Sequence, residues 1–341
     1  MGEDSARRPG MVDVARLAGV SHQTVSRVLN APDGVRPATR EKVLKAIEQL
    51  GYRRNMAARA LVTSSSHLIG VVTASSEFFG PASTTSAIEA AARGQGYGTL
   101  LTSLPASDEA EIAEAFSFLV NRGVDGIIAV APRTGIAASA TAAARDVPLV
   151  VVADGFAPQG RIHVVSVDQE LGARMVVRHL IGAGRRRIAY VAGPDDWFDA
   201  QARERGWRCA LEDSGLGPAG RFAGDWSAES GYEAGTALCL AIAGAPAGQG
   251  PDAVFCANDL MALGLLAAAR DQGVAVPQAL AVVGYDDTAG SEFFAPALTT
   301  VSQPFEELGR LCMEVLLGAF DGEPGMRYSI SPTLKVRRSS V

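Results

Sequence analysis

The chain has 341 residues, of which 48% are hydrophobic and 20% are charged, and its formal net charge is −6. This length allows two or three domains with buried cores, and the composition is that of a globular protein. No apolar run of about 18 residues is present, and MGEDSARRPGM at the start has no apolar segment, which excludes a membrane span and a secretory signal. We therefore expect a cytoplasmic protein with no membrane partner.

The first structured stretch is predicted to be two short helices joined by a glycine turn. Residues 1–10 are polar and are predicted to form a disordered arm. In Val12 to Asn30, Gly19 supplies the turn and Ser21 has the side-chain oxygen that caps a following helix. The apolar residues at helical spacing before the turn are Val14, Leu17 and Ala18.

The second of these helices, predicted from His22 to about Asn30, has two different faces. The inward face carries Val25, Val28 and Leu29, and the outward face carries His22, Gln23, Ser26 and Arg27. A face made of hydrogen-bonding groups fits the major groove of DNA, where Gln pairs with adenine edges and Arg with guanine edges. The alternative is an ordinary helical hairpin with a polar outer surface.

The string VARLAGVSHQTVSRVLN closely resembles the DNA-reading motif of the lac repressor family (LacI/GalR), and the resemblance covers nearly all of the chain. Residues 1–61 carry a net charge of +5, so the remaining 280 residues carry −11. A basic segment that coincides with a helix-turn-helix is typical of a duplex binder, and an acidic body is repelled by DNA. We predict that the DNA-binding residues are Ser21, His22, Gln23, Thr24, Ser26, Arg27, Asn30, Asn55, Arg59 and Leu61.

A third helix is predicted from Pro37 to Gly51, and it completes a helix-turn-helix domain over residues 11–54. Its inward residues are Val43, Ile47 and Leu50. MAARAL has helical propensity but is too short to be a stable helix alone in water. The resemblance implies that residues 55–66 are the family's hinge helix and linker. The resemblance implies that two copies of this helix form over the minor groove and wedge Leu61 between base pairs. Without DNA, a disordered linker is the expected state.

From residue 67 the pattern changes to short apolar runs that alternate with helical stretches, which predicts parallel α/β sheets. The first series of predicted strands covers 68–73, 97–102, 126–131 and 148–154, and the second covers 162–167, 187–192, 253–256 and 280–284. The predicted helices lie near 84–95, 108–122, 135–145, 169–183, 200–214, 229–243 and 259–272.

The order of these elements resembles the two-lobed, periplasmic-binding-protein-like body of the family. The predicted fold class is therefore α/β, with a three-helix head and a body of two parallel sheets. The resemblance implies an effector-binding and dimerisation domain over 67–341 whose chain crosses between the lobes three times. The predicted N-lobe covers about 67–165 and 303–326, and the predicted C-lobe covers about 166–302 and 327–341.

Ligands of open α/β sheets collect outside the carboxyl ends of the strands, where this sequence places polar residues. Carboxylates, amides and Arg can pair with neighbouring hydroxyls, and an aromatic face can cover the apolar side of a sugar ring. Each candidate also has a structural explanation. Asn258 could cap a helix, Asp286 could make a turn, Arg203 could be a solvated charge, and Trp226 could be core.

The segments CANDLMALG, VVGYDDT and GDWSA closely resemble segments of the family's body. By position, the resemblance implies that the effector-binding residues are Ser75, Asp154, Arg203, Trp226, Asn258, Asp286 and Gln303. The stretch TASSEFFGPAS is one residue longer than its family counterpart, and Phe78, Phe79 and Trp197 have no clear counterpart there. These departures leave the preferred sugar open.

We predict no catalytic residues, no metal, no cofactor and no enzymatic activity. No phosphate-binding loop, nucleophile elbow or zinc-protease motif occurs in the sequence. The histidines, with no obvious Cys or Ser partner, are His22, His67, His163 and His179. The cysteines, which lack a C-x-x-C pair and are predicted to be buried free thiols, are Cys209, Cys239, Cys256 and Cys312.

The sequence thus predicts a homodimeric transcriptional repressor of carbohydrate-utilisation genes. It would be released from operator double-stranded DNA by a sugar or glycoside bound between the lobes. The chain ends in PTLKVRRSSV without heptads, so a dimer is expected. The alternatives are a regulator with a purine-like co-repressor or a partner protein as effector, a free-standing sugar-binding protein, and a sugar-acting enzyme fused to a DNA-binding head.

Overall fold

The computed structural model describes residues 9–30, 34–53, 65–74, 78–104, 109–130, 133, 137–143, 145, 147–246, 248–321 and 323–341. The chain divides into two compact units, Met1–Ser66 and His67–Val341, which we call the head and the body. Within the described ranges, no helix is long and apolar enough to cross a membrane. Four predicted site residues lie outside the described residues, namely Asn55, Arg59, Leu61 and Ser75.

The head contains three helices, α1 (Met11–Ala18), α2 (His22–Asn30) and α3 (Pro37–Leu50). Both predicted glycine stops are confirmed, since Gly19 and Gly51 have φ of 66° and 58° in the left-handed region that glycine adopts without strain. The predicted Ser21 cap is also confirmed, because its Oγ accepts from the Thr24 backbone N–H at 3.1 Å.

One inward position of α1 differs from the prediction. Leu17 is 50% exposed, because the buried stripe of α1 is formed by its other apolar residues at i, i+3, i+4 and i+7. These residues are Met11, Val14, Ala15 and Ala18. The rest of the small core comes from α2 and α3 and is formed by Val25, Val28, Val43 and Ala46, with Leu29, Ile47 and Leu50 packed against it.

The body is built from twelve β-strands and eight α-helices in the part of the chain that the structure describes. The strands are β1 (Leu68–Ala74), β2 (Gly98–Leu104), β3 (Gly126–Val130), β4 (Leu149–Val152), β5 (Ile162–Val167), β6 (Ile188–Val191), β7 (Arg221–Phe222), β8 (Ala253–Cys256), β9 (Ala281–Asp286), β10 (Thr299–Ser302), β11 (Arg327–Ile330) and β12 (Thr333–Lys335). The helices are α4 (Phe79–Gly94), α5 (Glu109–Asn121), α6 (Ala137–Ala143), α7 (Gln169–Gly182), α8 (Phe198–Asp213), α9 (Ala228–Gly244), α10 (Asp259–Asp271) and α11 (Phe305–Gly318).

The strands form two six-stranded sheets, which define the two lobes. The N-lobe sheet has the order β11-β5-β4-β3-β1-β2 and is parallel throughout. The C-lobe sheet has the order β12-β10-β9-β8-β6-β7 and is parallel except for the antiparallel β10–β12 pair. Runs of Val and Ile such as β3 and β5 are buried along their whole length, because helices cover both faces of such sheets. The predicted α/β architecture is confirmed.

The predicted lobe boundaries are wrong at two strands. All of β5, to Val167, lies in the N-lobe sheet, and β11 pairs in parallel with it, from Arg327 beside Val164 to Ile330 beside Val167. The prediction had assigned 166–167 and 327–330 to the C-lobe. The segment after α11 contains two short strands instead of one, and burial of Ile330 in the N-lobe core fixes the first of them to that sheet.

The chain crosses between the sheets three times, as predicted. The first crossing follows β5 at Asp168, where α7 begins, and the second lies between β10 and α11 at Gln303 and Pro304. The third lies between β11 and β12. Asp168 caps α7, since its carboxylate accepts from the Leu171 backbone N–H at 2.8 Å. Side chains at the first two crossings therefore lie between the lobes.

Candidate functional site

The polar face of α2 is accessible in the head. His22, Gln23 and Arg27, three of the four residues predicted for the outward face, are exposed. The other predicted polar residues bond to one another. The Ser21 and Thr24 hydroxyls lie 2.8 Å apart, and the Asn30 side-chain amide donates to Ser26 Oγ at 3.2 Å. The side chains that remain available to a partner on this face are therefore those of His22, Gln23 and Arg27.

The body has a cavity of about 360 Å³ between its lobes, a size typical of small-molecule sites. The structure brings together six of the seven predicted effector residues in its wall, namely Asp154, Arg203, Trp226, Asn258, Asp286 and Gln303. They come from strand ends and helix starts of both sheets, as expected where the carboxyl ends of parallel strands face each other.

Arg203 of α8 is the cation at the centre of this wall and is only 4% exposed. Its Nε donates to Gln169 Oε1 at 2.9 Å, and its Nη2 lies 3.6 Å from Asp286 Oδ1. Its guanidinium also covers the Tyr285 ring, with Cζ 3.8 Å from the ring centroid. A buried charge is stable only with such partners, so the alternative of a solvated surface charge is wrong.

Two glutamines extend this network from one lobe to the other. Gln169 donates through Nε2 to Gln303 Oε1 at 2.9 Å, and Gln303 donates through Nε2 to Asp286 Oδ1 at 2.7 Å. Burial raises the pKa of Asp286 to about 6, although Arg203 and the Gln303 hydrogen bond favour its charged form. Asp286 also has φ of 115°, so the local backbone is strained at this position. Strain retained at a residue of a cavity wall favours a binding role over a simple turn.

Two further carboxylates, those of Asp154 and Asp199, line the cavity close to Gln169 and Arg203. The backbone N–H of Asp154 donates to Asp199 Oδ1 at 3.3 Å, and Asp154 Oδ2 accepts from the Gln169 backbone N–H at 2.9 Å. Burial and the charge of Asp199 raise the pKa of Asp154, and burial raises the pKa of Asp199. Such carboxylates are strong acceptors for ligand hydroxyls that would replace the lost water.

Trp226 lies in the wall with a left-handed backbone, φ 76°, and is 7% exposed. Its carbonyl accepts from Asn258 Nδ2 at 2.9 Å, while Asn258 Oδ1 accepts from the Met261 backbone N–H at 2.9 Å. Asn258 is therefore a helix cap, which was the structural alternative to an effector-binding role. Its side-chain amide also fixes the backbone of Trp226. Gly193 lies against the Trp226 ring, where a Cβ would overlap the ring.

Several wall residues were missed by sequence reasoning about effector contacts. Gln169 and Asp199 stand in the first turns of helices α7 and α8, where polar residues are ordinary, and Phe78, Phe79 and Trp197 were noted only as lacking a counterpart. Gln169 is a polar residue two positions after the buried strand β5, and this place at a strand end was a signal that could have identified it. Asp199 offered no comparable signal.

Asp259, at the start of α10 behind the cavity wall, is fully buried. Thr300 Oγ1 donates to its Oδ1 at 2.6 Å and the Thr288 backbone N–H donates to its Oδ2 at 2.7 Å. Burial, together with the nearby charge of Asp286, raises the pKa of Asp259 to about 8 from the ordinary 3.8. Between about pH 4 and pH 8, the Asp259 carboxyl therefore stays protonated in the folded protein and is ionised in the unfolded chain.

This proton makes stability depend on pH. The contribution of neutral Asp259 to the free energy of unfolding is fully present below about pH 4. It is lost as the pH rises through about 8, because the carboxyl of the unfolded chain ionises first. We expect the free energy of unfolding of the natural protein to fall, relative to Asp259→Asn, between these values. Urea titrations across this range measure the difference. Asp213→Asn, at a carboxylate that is 63% exposed, is the control, and a pH-independent difference for Asp259→Asn would contradict the assignment.

One histidine has a serine partner that the sequence did not reveal. His179 Nε2 lies 2.8 Å from Ser340 Oγ, which is also 2.6 Å from Thr299 Oγ1. Ser340 is 1% exposed, so this pair fixes the C-terminal segment to the C-lobe sheet. Among the described residues, no cluster of three His, Cys, Asp or Glu side chains could hold a metal ion. The four cysteines are free thiols, and Cys209 is only half-buried.

A helix-turn-helix head joined to a two-lobed body with a cavity between its lobes is typical of a class of DNA-binding transcription regulators. Residues 10–55 match the model for bacterial regulatory proteins of the lacI family, and residues 177–340 match that for a periplasmic binding protein-like domain. The chain belongs to the lacI family and is a DNA-binding transcriptional repressor.

Relatives over the whole chain support this assignment. The lactose operon repressor of Escherichia coli is 34% identical over 332 residues, which cover 97% of this chain and 90% of that protein. The repressor PurR of Haemophilus influenzae is 32% identical over 335 residues, covering 96% and 97%. The regulator MalR of Streptomyces coelicolor is 36% identical over 350 residues, covering 97% and 96%.

Solved structures of transcription regulators are also similar to this chain. The lac repressor dimer bound to operator and the anti-inducer ONPF has a TM-score of 0.87 at 32% identity, covering 98% of this chain and 100% of that chain. The complex of the transcriptional regulator CelR with cellobiose has a TM-score of 0.71 at 31% identity, covering 97% and 100%.

Proposed function

We propose that this protein is a homodimeric, cytoplasmic repressor of carbohydrate-utilisation genes that a sugar or glycoside releases from its operator. The head of each subunit binds one half of a two-fold symmetric operator through α2, and the hinge residues Asn55, Arg59 and Leu61 contact the minor groove. The effector binds in the cavity between the lobes, where Ser75 joins the six wall residues.

The observation that carries this proposal is the composition of the cavity wall. Arg203, Asp286, Gln303 and Asp154 offer paired donors and acceptors, and Trp226 lies beside them, with the Arg203 Cζ 5.6 Å from its ring centroid. Neighbouring hydroxyls of a sugar fit such pairs, and the apolar side of its ring fits the aromatic face. The solved relatives bind ONPF and cellobiose, which is consistent with this ligand class.

A mobility-shift titration tests the proposal. The purified full-length protein is bound to promoter fragments of neighbouring genes, and glucosides, galactosides and purines are added in turn. Release of DNA by a sugar is the expected result, and the coupling is reciprocal, so DNA must weaken sugar binding by the same factor. Tighter binding with a purine would instead support a co-repressor, as the similarity to PurR allows. Failure to bind any DNA would contradict the proposal.

We expect Arg27→Ala to reduce operator preference by roughly 10- to 100-fold, because a bidentate contact to a base edge contributes about 1–3 kcal/mol. The measurement is competition between operator and random DNA, with sugar binding to the body as a check on folding. Arg270→Ala, which removes an exposed arginine from the body, is the control. Unchanged operator preference in Arg27→Ala would remove Arg27 from the reading face.

A further inference from the structure

The chain leaves β9 through two consecutive residues with positive φ. Asp286, the last residue of β9, has φ of 115°, and Asp287 has φ of 52°. Both values lie in the left-handed region, which residues other than glycine rarely adopt. Such a conformation persists only where the surrounding structure fixes it. The placement of the Asp286 carboxylate in the cavity wall therefore depends on contacts that hold this turn from outside the cavity.

One side of the turn is held by Asp259 at the start of α10. The Thr288 backbone N–H donates to Asp259 Oδ2 at 2.7 Å. The Asp287 backbone N–H donates to Thr300 Oγ1 at 3.3 Å, and that hydroxyl donates to Asp259 Oδ1 at 2.6 Å. These hydrogen bonds fix the backbone of the turn, but they do not involve the side chain of Asp287.

The side chain of Asp287 is held by Arg337, which lies 50 residues further along the chain. The Arg337 Nη2 donates to Asp287 Oδ1 at 2.7 Å. Its Nη1 donates to the Leu298 carbonyl at 2.8 Å and to Ser291 Oγ at 3.2 Å. The side chains of Arg337 and Asp287 are each only 21% exposed, so solvent ions screen this pair less than a surface pair. Arg337 therefore restrains the turn through a charge-assisted hydrogen bond.

The backbone of Arg337 is itself fixed to the C-lobe sheet. Thr299 Oγ1 of β10 accepts from the Arg337 backbone N–H at 2.8 Å and donates to the Arg337 carbonyl at 2.8 Å. Two residues later, Ser339 Oγ accepts from the Thr299 backbone N–H at 2.8 Å and donates to the Val282 carbonyl at 2.6 Å. The guanidinium therefore reaches Asp287 from an anchored segment that also holds the two neighbouring strands.

We propose that Arg337 is a positioning residue for the effector site, which acts through Asp287 on the carboxylate of Asp286. This inference rests on the proposed function, because Asp286 is one of the residues proposed to bind the sugar. Without the Arg337–Asp287 pair, the turn relaxes toward ordinary backbone angles. Asp286 then moves from its place beside Gln303 and Arg203. Arg337 is not among the described residues that line the cavity, so its effect on the effector is indirect.

Calorimetric titration of the full-length protein tests this role. The probes are methyl glucoside, methyl galactoside, maltose, cellobiose and lactose, and the variants are titrated with the one that binds the natural protein most tightly. We expect Arg337→Ala and Asp287→Ala each to weaken its binding about tenfold, since a hydrogen bond to a charged group contributes on this scale. The double variant should bind no more weakly than either single variant, because both remove the same pair. Additive losses, or normal affinity in Arg337→Ala, would overturn the inference and leave the proposed function intact.

Two further variants separate positioning from a general loss of stability. Asp287→Asn keeps an acceptor for Arg337, and asparagine tolerates the left-handed region, so we expect its affinity to stay within about threefold of the natural protein. Arg338→Ala is the matched control, because Arg338 is the next residue of the same segment and is exposed. If Arg337→Ala does not fold, the comparison of Asp287→Ala with Asp287→Asn decides the result. Equal losses in those two variants would contradict the proposed role.

The protonation of Asp286 provides a readout that needs no sugar. Burial raises the pKa of Asp286 to about 6, and NMR can follow its carboxyl in protein labelled with carbon-13 at aspartate, with Asp286→Asn for assignment. We expect the pKa to fall toward the ordinary 3.8 in Arg337→Ala, because a relaxed turn admits water to the carboxylate, and to stay near 6 in Arg338→Ala. An unchanged pKa in Arg337→Ala would overturn the inference. Failure of every sugar to bind the natural protein would count against the proposed function alone.

Discussion

Replacing Arg203 with alanine is expected to abolish the response to the effector and to lower the free energy of unfolding of the body by about 3–5 kcal/mol. The guanidinium is 4% exposed, and its loss leaves Gln169 Oε1 without its donor and Asp286 without its counter-charge. An uncompensated carboxylate inside the wall must then take up a proton or admit water. The substitution also removes the guanidinium donors that we propose for sugar hydroxyls.

Urea unfolding, calorimetric sugar titration and operator binding measure the three consequences separately. Arg205→Ala is the matched control, because Arg205 lies two residues further along α8, is 50% exposed and pairs with Glu170 at 3.6 Å. We expect the control to stay within about 0.5 kcal/mol of the natural protein, as surface substitutions usually do. Operator binding without effector should persist in both variants. A normal dose response in Arg203→Ala would exclude Arg203 from the effector site.

Gly193→Ala is expected to weaken effector binding by tenfold or more without any change in the chemistry of the wall. The backbone of Gly193 is not in the left-handed region, so alanine is conformationally allowed, but its Cβ would overlap the six-membered ring of Trp226. Trp226 cannot retreat easily, because Asn258 holds its carbonyl. The ring must therefore shift within the wall, and overpacking of this kind costs about 1–3 kcal/mol.

Tryptophan fluorescence and sugar titration of the folded variant measure this effect. Gly182→Ala at the end of α7 is the control, because a Cβ there meets no other atom within 4 Å. We expect the control to bind sugar normally and to be as stable as the natural protein or slightly more stable. Normal sugar affinity in Gly193→Ala would mean that the position of Trp226 is unimportant for the effector.

Much of the fold was predictable because its signals are local. Gly19 and Gly51 ended their helices as expected, and the Val and Ile runs of the central strands identified two parallel sheets. The strands that were missed carry weak signals. β7 and β12 have only two and three residues, and in β10 the polar Thr299 and Thr300 are fully buried because their hydroxyls are hydrogen-bonded. No pattern of apolar residues could reveal such strands.

The candidate site was predictable to the extent that it lies at strand ends. Asp154, Asp286 and Asn258 follow buried strands, and chain topology alone brings such positions together. Gln169 meets Gln303 across 134 residues of sequence, and Asp199 meets Asp154 across 45. These contacts depend on how the two lobes face each other, which no local pattern records. The role of Gly193 depends on the position of one distant ring, so it too becomes visible only in three dimensions.

The hydrogen bond between Gln169 and Gln303 joins two of the three points where the chain passes from one sheet to the other. An axis through these two crossings is the simplest one about which the two sheets could rotate relative to each other. By geometry, such a rotation would move atoms at the far end of each sheet more than it moves the two side-chain amides.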